Sequence, residues 1–185
     1  EDITGVEVKG YRAPSYSISK GCLWAYDELS EAGYRYDSSV FPVQHDLYGI
    51  PDWPRFPFNV IRKKDSQWIP DVVDDRKFSD EQNSQLLEIP ITTLKIFGKS
   101  IPIAGGGYFR LFPYEMTCWG LRRINRLENQ PFVFYLHPWE LDPDQPRMSG
   151  AGLKSRFRHY LNLNRTEDRF RRLLKDFSFT SLDSM

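Results

Sequence analysis

One segment limits the architecture more than any other. Phe132-Val133-Phe134-Tyr135-Leu136 is an unbroken apolar run, ended by His137 and Pro138. A run of strand length with no polar interruption reads as a strand buried on both faces of a parallel sheet, since neither face meets water. The segments around it read as helices. Pro113 sits where a first helical residue belongs, and the helix extends to about Asn129. Its apolar stripe is Met116, Trp119, Leu121, Ile124 and Leu127, with Arg122, Arg123 and Arg126 solvated. Beyond the run, a loop from Pro138 to Gly152 leads into a short basic helix over 153–161. Thr166 then caps a last helix, with Glu167 and Asp168 in its first turn and Phe170, Leu173, Leu174 and Phe177 facing inward.

The first half of the chain alternates in a similar way. Residues 6–11 read as a strand ended by Arg12-Ala13-Pro14, and Ser17 or Ser19 caps a helix that Gly33 stops. Its apolar positions are Leu23, Trp24, Tyr26, Leu29 and Ala32. Tyr34-Arg35-Tyr36 is a short strand running into Asp37-Ser38-Ser39, and residues 41–57 form a long ordered loop. Further strands are expected at 58–61, 86–89 and 91–97, with a hairpin turn at Gly98-Lys99-Ser100 leading into Ile101-Pro102-Ile103. The pattern predicts an α/β fold, a piece of a (β/α) barrel, and the length suits one domain over residues 1–185.

Composition narrows the function classes. The 25 basic and 25 acidic residues balance, so no global field draws the chain to nucleic acid or an anionic membrane. No apolar stretch is long enough to span a bilayer. Cys22 and Cys118 make neither a disulfide framework nor a zinc motif, which fits a reducing, cytoplasmic compartment, with a periplasmic one as the alternative. Aromatic residues are plentiful, at 15% of the chain; most are expected in the core, although such rings also line sugar-binding clefts. The chain opens at Glu1, without Met and almost directly on a strand, as a truncated or proteolysed fragment would.

Barrel enzymes gather their chemistry at the C-terminal ends of strands. Arg12 follows the strand at 6–11, His137 follows the run at 132–136, and Asp37 follows Tyr36. A guanidinium, a carboxylate and an imidazole at one rim suit acid–base work. Position alone still favours a hydrogen-bonded strand-end histidine, a salt-bridging arginine and a turn-forming Asp-Ser-Ser.

The motifs add more. Gly10-Tyr11-Arg12-Ala13-Pro14-Ser15-Tyr16-Ser17, Tyr36-Asp37-Ser38-Ser39 and Tyr135-Leu136-His137-Pro138-Trp139-Glu140 resemble successive motifs of the polysaccharide deacetylases, the NodB-homology family or carbohydrate esterase family 4. Gly105-Gly106-Gly107-Tyr108-Phe109-Arg110 and Arg156-Phe157-Arg158-His159-Tyr160 resemble the branch associated with bacterial exopolysaccharide clusters and the exosortase (PEP-CTERM) system. The resemblance runs over essentially the whole chain. It implies the C-terminal portion of a deacetylase barrel whose N-terminal strands are missing, hydrolysing N-acetyl groups of N-acetylhexosamines in an exopolysaccharide. It also implies a divalent metal, usually zinc, held by an Asp-His-His triad, with a further Asp as general base. Those ligands belong to motifs absent here; the three histidines, His45, His137 and His159, lack helical ligand spacing, so no metal ligand is assigned.

On the same resemblance, His137 is the general acid, Asp37 holds its imidazolium form, and Arg12 fixes the general-base aspartate. The Ser15 N–H contributes to the oxyanion hole, at a position where the family more often has Tyr. Leu136 lines the acetyl pocket, and Trp139 and Tyr108 stack on sugar, with core packing as the equal alternative for both. Glu140 reads as a loop salt-bridge residue, and the arginines from Arg156 to Arg172 as a solvated helix face. The expected partners are a polysaccharide substrate and either the missing N-terminal portion or a second copy, because an incomplete barrel exposes strand edges. Two rivals stand: a non-catalytic carbohydrate-binding module of the same fold, and a glycosidase using Glu140 and Asp142, whose closeness in sequence suits a carboxylate pair poorly.

Overall fold

The computed structural model describes residues 3–45, 48–63, 67–71, 85–150 and 152–182. The chain divides into two compact units, Glu1–Thr93 with Phe97–Ser100, and Leu94–Ile96 with Ile101–Met185.

The first unit is built on a five-stranded mixed sheet. Its strands are β1 (Gly10–Tyr11), β2 (Tyr36–Asp37), β3 (Phe58–Arg62), β4 (Trp68–Asp71) and β5 (Gln85–Glu88), in the order β1-β2-β5-β3-β4. The β1-β2 and β2-β5 pairs are parallel, whereas β3 runs antiparallel to both β5 and β4. Helix α1 (Ala25–Glu31) connects β1 to β2 after a 3-10 turn at Lys20–Cys22, and Gly33 ends it in the left-handed conformation at φ 82°. Its inward residues are Tyr26 and Leu29; Trp24, expected in the stripe, is exposed. Residues 3–8 form no strand. Described residues of the segment after β2 anchor it in the core, where Val40, Ile50 and Trp53 join Tyr26, Phe58, Val60, Trp68 and Leu86.

A hairpin of β6 (Thr93–Ile96) and β7 (Lys99–Pro102) follows. It turns at Phe97-Gly98, both with positive φ, one residue earlier than the sequence suggests. The second unit then adds α2 (Gly106–Leu111), α3 (Tyr114–Leu127), α4 (Leu153–Tyr160) and α5 (Leu163–Asp176). Helix α3 buries Tyr114, Thr117, Cys118, Leu121 and Ile124, leaving Met116, Trp119 and Leu127 outside. Leu121 and Ile124 of the expected stripe face inward, and the other three positions do not. Gly120 also faces inward, where a Cβ would lie 2.3 Å from Ile103 Cδ1, a space that admits no larger side chain. Thr166 is not a cap: α5 begins earlier, after a left-handed Asn162, and the Thr166 hydroxyl donates to the Asn162 carbonyl at 3.0 Å.

The segment that most constrained the sequence reading departs furthest from it. Residues 132–136 are extended and half-buried but make no strand; among the described residues their ladder contact is a single parallel bridge from Tyr135 to Gly105. Their apolar character goes into ring packing instead. Phe134 meets Phe109 edge-on at 5.0 Å and stacks with Phe170 at 6.2 Å, while Phe132 meets Phe177 edge-on at 5.1 Å. The fold is mixed α/β, and no closed barrel is present among the described residues. Nor is any described helix long and apolar enough to cross a membrane.

Candidate functional site

Each unit contains a buried polar cluster. In the first, the parallel register sets Asp37 beside Glu88. Both side chains are 0% exposed, and Ser38 and Ser39 are buried with them. The Ser39 hydroxyl donates to Asp37 Oδ1 at 2.7 Å and the Ser39 N–H to Oδ2 at 3.2 Å, the local Asx turn the sequence allowed. Glu88 accepts the Val40 N–H at 2.9 Å and the Tyr26 hydroxyl at 3.0 Å. Burial pushes both carboxyls upward, Glu88 well above its ordinary value of 4.5 and Asp37 above 3.8. The neighbouring Asp37 charge adds to the rise at Glu88, while bonds to Glu88 and Ser39 pull Asp37 back. Burial of two acids side by side favours a proton kept between them.

Arg12 and Ser15 stand at the start of this cluster. Arg12 donates through Nε to the Ser38 carbonyl at 3.0 Å and through Nη2 to the Ser38 hydroxyl at 2.7 Å, and the Ala13 N–H donates to the Ser39 hydroxyl at 2.8 Å. Ser15 and Tyr16 follow with φ of 56° and 54°. Two successive non-glycine residues in the left-handed region cost roughly 1–2 kcal/mol each, a strain that clusters at functional segments.

The second cluster surrounds His137. Gly105, at φ 119°, lets the chain approach Tyr135 so closely that a Cβ there would sit 1.8 Å from the Tyr135 carbonyl oxygen. That contact seats the extended segment, and Pro138–Leu141 follow as a 3-10 turn with His137 at its N-cap. Glu140 closes the turn in the manner of a capping box, its Oε2 accepting the His137 N–H at 3.0 Å. Its Oε1 accepts Arg110 Nε at 2.8 Å, and the two side chains are 0% and 3% exposed. The loop salt bridge expected for Glu140 is thus present, as a buried ion pair. Arg110 also donates to the carbonyls of His159 at 2.8 Å and Leu161 at 3.1 Å, tying α2 to the junction of α4 and α5.

The half-buried His137 ring has the Tyr135 hydroxyl 2.5 Å from Nε2 and the Trp139 ring 5.7 Å away at 21°. Trp139 in turn lies 4.3 Å from His159 at 11° and 5.2 Å from the Arg110 guanidinium. Leu136 is half-buried next to His137, and Tyr108 is half-buried on α2 with its ring 6.1 Å from Phe112.

Of the residues singled out from sequence, Arg12, Ser15 and Asp37 lie in the first unit, and Tyr108, Leu136, His137 and Trp139 in the second. In the first unit Arg12 bonds to Ser38, next to Asp37, and in the second Leu136 adjoins His137 and Trp139 stacks beside it, whereas the ring contact of Tyr108 is with Phe112. Five participants were missed: Tyr26 and Glu88 in the first cluster, Arg110, Tyr135 and His159 in the second. Two carried a readable signal. Glu88 is a lone acid between Leu87 and Ile89, and Arg110 a lone cation between Phe109 and Leu111; a charge inside an apolar run is buried and partnered or breaks the element.

A family model described as a domain of unknown function, DUF3473, matches residues 62–185. No curated protein and no solved structure matches the chain.

Proposed function

The chain belongs to the DUF3473 family, whose description names no activity, and from the His137 site we propose that it supplies the acid side of an N-deacetylase acting on N-acetylhexosamines of an exopolysaccharide. One observation carries the reading. A half-buried imidazole is bracketed by the Tyr135 hydroxyl and the Trp139 ring, on a backbone fixed by a buried carboxylate. A histidine restrained on several sides but still reachable can deliver a proton to a set point.

In amide hydrolysis the departing nitrogen is a poor leaving group until it is protonated. After water has added to the amide carbonyl carbon and lost a proton to a base, His137, as imidazolium, gives its proton to that nitrogen as the C–N bond of the adduct breaks, leaving acetate and a free amine on the sugar. Tyr135 orients the ring through its hydroxyl. Leu136 offers an apolar contact for the acetyl methyl, and Tyr108 and Trp139 are the assigned sugar contacts. Arg12 and the Ser15 N–H, in the first unit, keep their assignments as base-orienting and oxyanion-binding groups; Asp37 is buried against Glu88 and Ser39, and no role toward His137 is derived for it. The strained backbone at Ser15 and Tyr16 supports a functional role for that segment.

The deacetylase resemblance brings a divalent metal, usually zinc, that activates water. The described residues do not fit it: they contain no group of three or more His, Cys, Asp or Glu able to hold a metal ion. No ligand is assigned, and no step is derived through the metal.

The test is acetate release by the full-length protein. His137→Ala is expected to lower turnover by roughly 10²–10⁴-fold. Undiminished turnover in a folded variant overturns the assignment. A binding module without chemistry is the second reading, favoured by a groove in the first unit lined by Trp24, Trp53, Trp68, Lys20 and Asp27, with Trp24 64% exposed. Glycan binding with no acetate released would select it.

A further inference from the structure

We propose that Glu140, locked by Arg110, is a positioning residue for His137; the inference rests on the reading of His137 as the general acid. Glu140 never meets solvent, and each of its oxygens has one fixed partner, Arg110 Nε on one side and the His137 N–H on the other. A buried carboxylate is tolerated only where its charge is matched, so the Arg110 guanidinium is what allows an acid to cap this turn at all. Arg110 is itself immobile, held by the carbonyls of His159 and Leu161. Its guanidinium lies over Trp139, and Trp139 stacks beside His137. One ion pair therefore sets both the His137 backbone, through Glu140, and one neighbour of its ring, through Trp139. A neutral cap would fix the turn without fixing the ring. The pair couples the proton donor to the junction of α4 and α5 and gives that C-terminal segment a part in the reaction.

Glu140→Gln breaks the arrangement with minimal change in shape. An amide puts N–H groups where one of two donors, Arg110 Nε or the His137 N–H, needs an acceptor, so one bond is lost. Steady-state kinetics of the full-length protein should then show kcat for an N-acetylhexosamine oligomer lower by about 10- to 100-fold, with KM little changed. An acetate ester of 4-nitrophenol loses its leaving group without protonation, and its turnover should fall much less. The double variant Arg110→Met/Glu140→Leu removes both charges, avoids a stranded one, and should give the same amide-selective loss.

Wild-type kcat on the amide in either folded variant overturns the proposal, as does an equal loss on amide and ester, which would mark a merely structural pair. His137→Ala run in parallel separates the two failures. If it leaves amide turnover intact, the general-acid reading falls and this proposal with it; if it abolishes turnover while Glu140→Gln is silent, positioning alone is wrong.

Discussion

The two buried clusters solve the same physical problem in opposite ways. Both place carboxylates at 0% exposure, where an unmatched charge is costly. Around Glu140 the match is a cation, Arg110, at 2.8 Å. Around Asp37 and Glu88 the described partners are neutral donors, Ser39, Tyr26 and the Val40 N–H, and the second acid itself. The first arrangement keeps a charge by pairing it; the second lowers the charge by retaining a proton. A site that pairs its charge holds one geometry, which suits it to aiming a neighbouring group. A site that holds a shared proton responds to pH.

The sharpest way to break this comparison is to delete the cation. Arg110→Ala leaves Glu140 buried without its counter-charge and frees the carbonyls of His159 and Leu161. Urea unfolding should show a loss of about 3–5 kcal/mol, the usual cost of stranding one member of a buried pair. A loss no larger than that from removing a neutral donor would show that the guanidinium is not what offsets the burial.

The acid pair predicts a pH dependence of definite sign. Because both folded carboxyls are raised above their ordinary values of 3.8 and 4.5, the unfolded chain releases protons that the folded state keeps. The stabilisation from the retained proton is complete below those values, declines as pH rises past them, and is gone once the folded pair ionises. In thermal melts, wild-type stability should therefore fall as pH is raised above the ordinary carboxyl range. Glu88→Gln removes the titrating group while keeping an amide donor and acceptor, so its melting curve should be flatter and its stability at neutral pH no lower. A wild-type profile that rises above that range, or a Glu88→Gln slope equal to the wild type, sinks the shared-proton account.

How far all this could be read from the chain depends on the range of the information. Local signals worked: Gly33 ends α1, and α4 follows its basic pattern. Strands β3 and β5 lie where their apolar residues put them, while β4 escaped notice because Pro70 interrupts it. The run at 132–136 misled because apolarity reports contact with other apolar groups, not strand pairing, and here ring-on-ring contacts leave it half-buried. His137 was legible as the imidazole that ends the apolar run, although no strand precedes it. The Arg110–Glu140 pair could not: its members are 30 residues apart, and nothing local says which acid answers which base. The same holds for Tyr26 and Glu88, which are 62 residues apart.

That long-range bond offers the smallest and cleanest test of the contrast. Tyr26 is fully buried, and its hydroxyl, which burial keeps protonated, donates to Glu88 Oε2 at 3.0 Å. Tyr26→Phe keeps the ring, and with it the packing on Trp53 and Trp68, while deleting a single neutral donor. The cost should be about 1 kcal/mol, well below that of Arg110→Ala, because no formal charge is stranded. Its effect on titration has a fixed direction. The Tyr26 bond pulls the Glu88 value down against burial, so losing it drives that value higher still. The variant should therefore hold its proton to higher pH than the wild type, by infrared detection of the protonated carboxyl. A proton released earlier instead would mean that Tyr26 stabilises the acid rather than its anion, and the two clusters would then differ in degree, not in kind.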